Sequence, residues 1–444
     1  MAGTYEILIK GGTVVNQDGA VKRDIAIADG RIVALGDIEA GSAGEVIDAT
    51  GLTIIPGVID SQVHFREPGL THKEDLETGS RGAVLGGVTT VFEMPNTNPN
   101  TTTPERLAEK VAAAHHRMFC DFAFYVGGTE DNVEDIPELE RLPGSAGIKV
   151  FIGSSTGTLL VENPAVLDRI IQKISRRAAF HAEDEGRLIQ RKDLRVPGDP
   201  SSHPVWRDEI AALMATRQLV GLAEKHNKRV HVLHISTAVE MEFLSGHKEW
   251  ASVEVTPHHL SLVAPDCYER LGTYCQMNPP VRDAANQAGI WAGIANGVVD
   301  VLGSDHAPHT REEKDHAYPE SHSGMTGVQT LLPIMLDHVN AGRLSLERLV
   351  DLTSHGPQRL FGLRGKGRIA VGYDADLAIV DMRRRETITN AQVASRAGWT
   401  PYDGRAVTGW PIGTFVRGHK VMWEGEIIGA ANGEAARFFE GSQA

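Results

Sequence analysis

Short β-type runs broken by glycine open the chain. From Tyr5 to Ile55 they read YEILIKGGTVV, KRDIAIADGRIVALG and EVIDATGLTII, and the Asp29-Gly30 pair predicts a hairpin. The same style returns after Gly365 in KGRIAVGYDADLAIVD and GTFVRGHKVMWEGEII. Strands at the two ends of a chain can share one small sheet domain, since termini often lie close together. Two unrelated β extensions are the alternative.

The middle alternates differently. The β-rich runs IIPGVID, TTVFEM, FAFYV, GIKVFI, AAFHA, RVHVLHI, ASVEV and VDVLGSDH are separated by longer stretches with helical spacing. Thr103-Pro104 reads as a cap followed by proline at the first helical position. Leu167, Ile170, Ile171 and Ile174 form one buried helical face, and Ile210, Leu213 and Met214 begin another. Eight such strands between about 54 and 305 are the number that closes a (β/α)8 barrel. The expected fold is therefore α/β: a TIM-type barrel over 54–364, a small β-sandwich built jointly by 1–53 and 365–435, and a tail at 436–444. A doubly wound open sheet is the rival, but no G-x-G-x-x-G or Walker sequence follows any strand.

Composition narrows the functions. At 444 residues, 41% hydrophobic and 23% charged, the chain can bury a sizeable core. A formal charge of −14 argues against nucleic acid or an anionic membrane as partner. It does not argue against a small anionic substrate, which one local arginine can attract. Three cysteines without CxxC spacing suggest a reducing compartment. No apolar leader and no run approaching 18 apolar residues are found, so a cytoplasmic protein is expected. A symmetric homodimer is the base-rate expectation.

In a barrel the active site is built at the C-terminal ends of the strands. His64 ends the first run and Asn96 follows the second; Lys149 lies in the fourth; His181 and His234 end the fifth and sixth; Asp305 ends the eighth. Three histidines, an aspartate and a lysine converging at one mouth suit zinc or a similar divalent ion. A protonated lysine is a poor ligand, whereas carbon dioxide added to its amine gives a carbamate that can bridge two cations. The bland alternative is a lysine whose stem packs while its head reaches solvent. Elsewhere, His258-His259 reads as support for the site, Asp184 as an orienting group, and residues 306–326 as a loop over the mouth whose histidine spacing is too irregular for metal storage.

HFREPG at 64–69, MPNTNP at 94–99, NPPVR at 278–282 and DHAPH at 305–309 together resemble the dihydroorotases of the amidohydrolase superfamily. GYDADLAIVD at 372–381 and SRAGWTPYDG at 395–404 resemble the cyclic amidases in general, allantoinase and hydantoinase included. The resemblance covers essentially the whole chain. It implies a hydrolase that interconverts dihydroorotate and N-carbamoyl-L-aspartate, with one or two Zn2+ ions and N6-carboxylysine at Lys149. By the same resemblance, His64 and Asp305 bind the more buried metal, and His181 and His234 the second. Arg66, Asn96 and His309 hold the substrate carboxylate, and Asn278 meets the ring amide edge. Asp305 is the general acid/base. Allantoinase, hydantoinase or dihydropyrimidinase activity is the runner-up, and a non-catalytic subunit a third reading.

Gln62 departs from that pattern, which has histidine two residues before His64. Period-two alternation puts both positions on one side of the strand. Three outcomes stand open: Gln62 ligates through its oxygen; water replaces it or the buried metal is weak or missing, leaving Lys149, His181 and His234 as a mononuclear site; or the subunit is not catalytic.

Overall fold

The structure, a computed structural model, describes residues 5–155 and 158–439. Eight parallel strands follow one another around a barrel in chain order: Val58–Val63, Val88–Glu93, Asp121–Gly127, Ser145–Phe151, Ala178–His181, Val230–Val232, Ala251–Val255 and Val301–Leu302. A parallel bridge between Val63 and His306, with His64 N–H donating to His306 O at 2.7 Å, brings the last strand back to the first. All the barrel strands are buried throughout, as expected for a parallel sheet covered by helices.

The first run is two strands, not one. Thr53–Pro56 belongs to the terminal sandwich, where it pairs with Thr13–Asn16 and Leu377–Thr387. The barrel begins after Gly57, where a Cβ would come within 2.1 Å of Thr89 Oγ1. Only glycine permits that close passage.

The sandwich joins both ends of the chain. Its four-stranded sheet is N-terminal (Tyr5–Lys10, Asp24–Ala28, Arg31–Gly36, Ala43–Asp48), and its seven-stranded sheet mixes N- and C-terminal strands. Ile9, Ile25 and Ile27 from one sheet meet Val14, Ile54, Leu377, Ile379 and Phe415 from the other. The Asp29-Gly30 hairpin is present, with φ of 50° and 72°, the doubly left-handed turn that matches strand twist.

The helices bear out one periodicity and correct another. Thr103 caps Pro104–Ala114 through Arg106 N–H, and Leu167, Ile170, Ile171 and Ile174 are buried. In Glu209–Lys225, however, Ile210 and Met214 face outward, each 44% exposed. The inner face is Ala211, Ala212, Ala215, Leu219 and Ala223, small side chains that let the helix lie close to the barrel. Among the described residues no helix is long and apolar enough to cross a membrane.

A buried ion network ties barrel to sandwich and explains the DAD triplet at 374–376. Lys366 Nζ lies 2.6 Å from Asp121 at the start of the third barrel strand and also bonds Asp376. Arg417 pairs with Asp121, and Arg437 lies 2.9 Å from Asp374. The described part of the tail packs down as well: Ala436 N–H donates to Phe122 O at 2.8 Å, and the Phe438 ring lies 5.9 Å from Phe92. Replacing Lys366 by methionine leaves Asp121 and Asp376 buried without their shared cation. We expect it to cost about 3–5 kcal/mol in denaturant unfolding; a loss below 1 kcal/mol would mean the network is not what joins the two parts.

Candidate active site

The strand ends bring the expected residues together. Gln62, His64, Arg66, Lys149, His181, His234, Asn278 and Asp305 line one cavity, closed by Phe151, Ser155, Ser323 and Gly324. Its volume is about 20 Å3, room for about one water. Three of the lining residues have left-handed backbones: Arg66 (φ 65°), His234 (φ 38°) and Asp305 (φ 46°). Non-glycine residues adopt that region at a cost, and such strain gathers at functional sites.

One half of the cavity is a nitrogen-rich cluster. His181 Nδ1 and His234 Nε2 point at each other across 3.1 Å. Burial pulls both imidazoles below their usual range, and each depresses or is depressed by its cationic neighbours. Lys149 Nζ donates to Val150 O at 3.2 Å and lies 4.0 Å over the Phe151 ring, with no carboxylate in bonding range. Burial drives its amine well below the usual lysine range, and the charges of Asp305 and Glu254 only partly oppose that. Two converging imidazoles and an amine whose proton affinity burial has lowered are nitrogen donors that suit a divalent cation.

Behind His181 stands a group that sequence reasoning missed. Glu183 Oε2 lies 3.1 Å from His181 Nε2, and Arg207 grips the same carboxylate with Nε at 3.1 Å and Nη2 at 2.5 Å. Burial would raise the Glu183 carboxyl, but the Arg207 charge and the His181 bond hold it well below the usual carboxylate range. Its signal was the continued alternation from 181 to 183. Asp184, expected to orient a neighbour, instead caps Glu185–Gln190 by accepting from Arg187 N–H at 2.8 Å.

The other half centres on Asp305. Its Oδ1 accepts from Gln62 Nε2 at 3.0 Å and lies 3.3 Å from His64 Nε2. Burial would raise this carboxyl; its contacts with the neighbouring histidines, His64 first, hold it well below the ordinary range. Gln62 Oε1 is buried with no hydrogen-bond partner among the described residues. Both 62 and 64 reach the cavity, as the alternation required.

Asn96 and His309 stand behind the cavity rather than on its wall. Asn96 Oδ1 lies 2.9 Å from His64 Nδ1, so it fixes that ring. His309 is wedged between Arg66 Nη2 at 3.2 Å, Lys73 Nζ at 3.1 Å and Ser323 O at 3.0 Å. His309, Glu313 and His322 offer ligand atoms within 4.8 Å of one another, but the Lys73 ammonium, 2.9 Å from Glu313, already supplies the cation there. Arg66 itself is 1% exposed; Nε donates to Pro308 O at 3.1 Å, and Nη1 has no partner among the described residues. His259 braces the 278–282 loop from behind, with Nε2 3.1 Å from Pro279 O, and Trp399 holds the mouth by donating to His309 O at 2.8 Å.

The chain is similar to known proteins over nearly its whole length. The Amidohydrolase family profile matches residues 53–421. A dihydroorotase of Methanosarcina acetivorans is 36% identical over 98% of this chain and 96% of its own. An L-hydantoinase of Paenarthrobacter aurescens is 34% identical over 96% of each. Among solved structures, L-hydantoinase (dihydropyrimidinase) from Arthrobacter aurescens superposes with a TM-score of 0.92 at 32% identity, covering 97% of this chain and 99% of that one.

If Glu183 orients His181, Glu183→Gln should weaken divalent-metal retention about 10–100-fold. Competition with a chromophoric chelator measures it, with a melting curve to report the stability lost at Arg207. Unchanged retention would make Glu183 a partner of Arg207 only.

Proposed function

The chain belongs to the amidohydrolase family and is a hydrolase, and on that footing we propose that it is a dihydroorotase, opening and closing the ring between dihydroorotate and N-carbamoyl-L-aspartate. The observation that carries this reading is Arg66: a buried guanidinium with a free Nη1, lining the same cavity as the metal-type ligand set. A planar fork beside a hydrolytic centre matches a ring that bears a carboxylate. His309 and Pro308 O hold the fork in place.

His181, His234 and Lys149, the last as its carbamate, would hold a divalent ion, with His64, Asp305 and Gln62 at a second position. Such an ion would lower the pKa of water to about 7 and polarise the amide carbonyl. Asp305 takes the proton of the attacking water and returns it to the ring nitrogen as the carbon–nitrogen bond breaks. Ring closure runs through the same groups in reverse. Asn96 fixes the His64 ring beside Asp305, and the Gln62 amide aims the Asp305 Oδ1 by donating to it. The reading includes a cytoplasmic setting, in keeping with Cys120, Cys267 and Cys275 being free and buried. The second reading, a hydantoinase-type amidase acting on uncharged rings, draws on the close superposition with L-hydantoinase.

Two measurements test this. The wild type should open dihydroorotate much faster than hydantoin or dihydrouracil, and Arg66→Lys should lose about tenfold or more on dihydroorotate while sparing the uncharged rings. Equal rates on charged and uncharged rings would favour the second reading. Lys149→Ala should lose most of its bound metal and all but trace activity, with partial rescue by short carboxylates standing in for the carbamate. Unchanged metal content in that variant rules out the bridge.

A further inference from the structure

His203 opens a short helix, His203–Trp206, in the segment after the fifth barrel strand, and nothing in the sequence marks it as part of the site. It is 1% exposed. Its Nε2 lies 3.1 Å from the backbone carbonyl of Met277 and 2.9 Å from the side-chain oxygen of Asn278. A carbonyl only accepts, so Nε2 must carry the proton. That proton also fixes Asn278: an N–H facing the side-chain amide needs the oxygen, not the NH2, turned toward it. Asn278 lines the cavity, its oxygen is committed to His203, and its Nδ2 has no partner among the described residues.

We infer that His203 is a positioning residue that locks the Asn278 amide with its NH2 toward the ring, so that the site recognises a ring carbonyl there and not a ring N–H. His203 Nδ1 is buried and unpartnered, so no second group competes to turn the imidazole. Burial and the nearby Arg207 charge pull the imidazole down to about 3, which keeps the single-proton form at working pH. The inference rests on the proposed reading only in taking the ligand to be a cyclic amide; it does not need the carboxylate.

Calorimetric binding of orotate and of uracil to the metal-loaded enzyme separates the two claims. Both are unreactive rings with the same pair of carbonyls, and only orotate has the carboxylate. His203→Leu should weaken both about fivefold to tenfold, the worth of one hydrogen bond, with metal content unchanged. His203→Gln, which restores an N–H at that position, should recover most of the loss and guards against a folding defect in the leucine variant. In an Asn278→Ala background His203→Leu should have no further effect. Equal losses with and without Asn278, or no loss in either ligand, overturns the inference. A wild type that binds orotate no better than uracil instead overturns the dihydroorotase reading and leaves this one standing.

Discussion

Lys149 stands in the middle of a parallel barrel whose strands are buried on both faces, and the amine cannot reach solvent without breaking that packing. Burial pushes the proton affinity of a lysine so placed well below the usual range, because the desolvation of an ammonium outweighs the pull of Asp305 and Glu254. The neutral amine is the species that adds carbon dioxide, so the fold itself prepares the residue for the role proposed for it. The layer beneath responds to the same burial. Glu254, bonded to Ser61 at 2.5 Å and 3.2 Å from His231, is pushed up to about 8, by burial first and by the Asp305 charge in part. Charge is thus kept off the barrel interior and concentrated on Asp305.

Four side chains at the mouth are held by groups behind the cavity wall. Glu183 and Arg207 set His181, Asn96 sets His64, His309 and Pro308 O set Arg66, and His203 sets Asn278. Buried polar groups need partners, and here satisfying them also fixes tautomers and amide orientations. The 395–404 segment does similar work at longer range: Trp399 clamps the His309 backbone, and Tyr402 OH lies 3.0 Å from His258 Nδ1.

What the sequence made legible follows from periodicity. Residues at strand ends had to converge once eight strands were counted, and positions 62 and 64 had to share a side. Depth was not legible. Asn96 and His309 come from the right loops, yet stand one layer behind the wall, because a sequence names the strand end but not how far a side chain reaches. Glu183 was hidden for a different reason: alternation continued past the last residue of the strand, while Asp184 looked more polar in context. Ile210 and Met214 misled because the inner face of their helix is alanine, chosen for close approach rather than apolar bulk. His203 carried no periodic signal, being delivered by an irregular segment.

Gln62 makes the two halves of the site unequal. On the proposed reading Lys149, His181 and His234 hold one ion. On the other side stands the Gln62 carboxamide, and a neutral amide oxygen is a weaker partner for zinc than an imidazole nitrogen. The amide has two ends, however, and its NH2 is spent on Asp305 Oδ1. Gln62 thus gives Asp305 a fixed neutral donor at the second metal position. With His64 3.3 Å from the same oxygen and Asn96 behind His64, the Asp305 side chain is held in place from two sides. On the proposed reading, the ring-opening step then depends on the Lys149 half for the metal and on the Gln62 half for the proton.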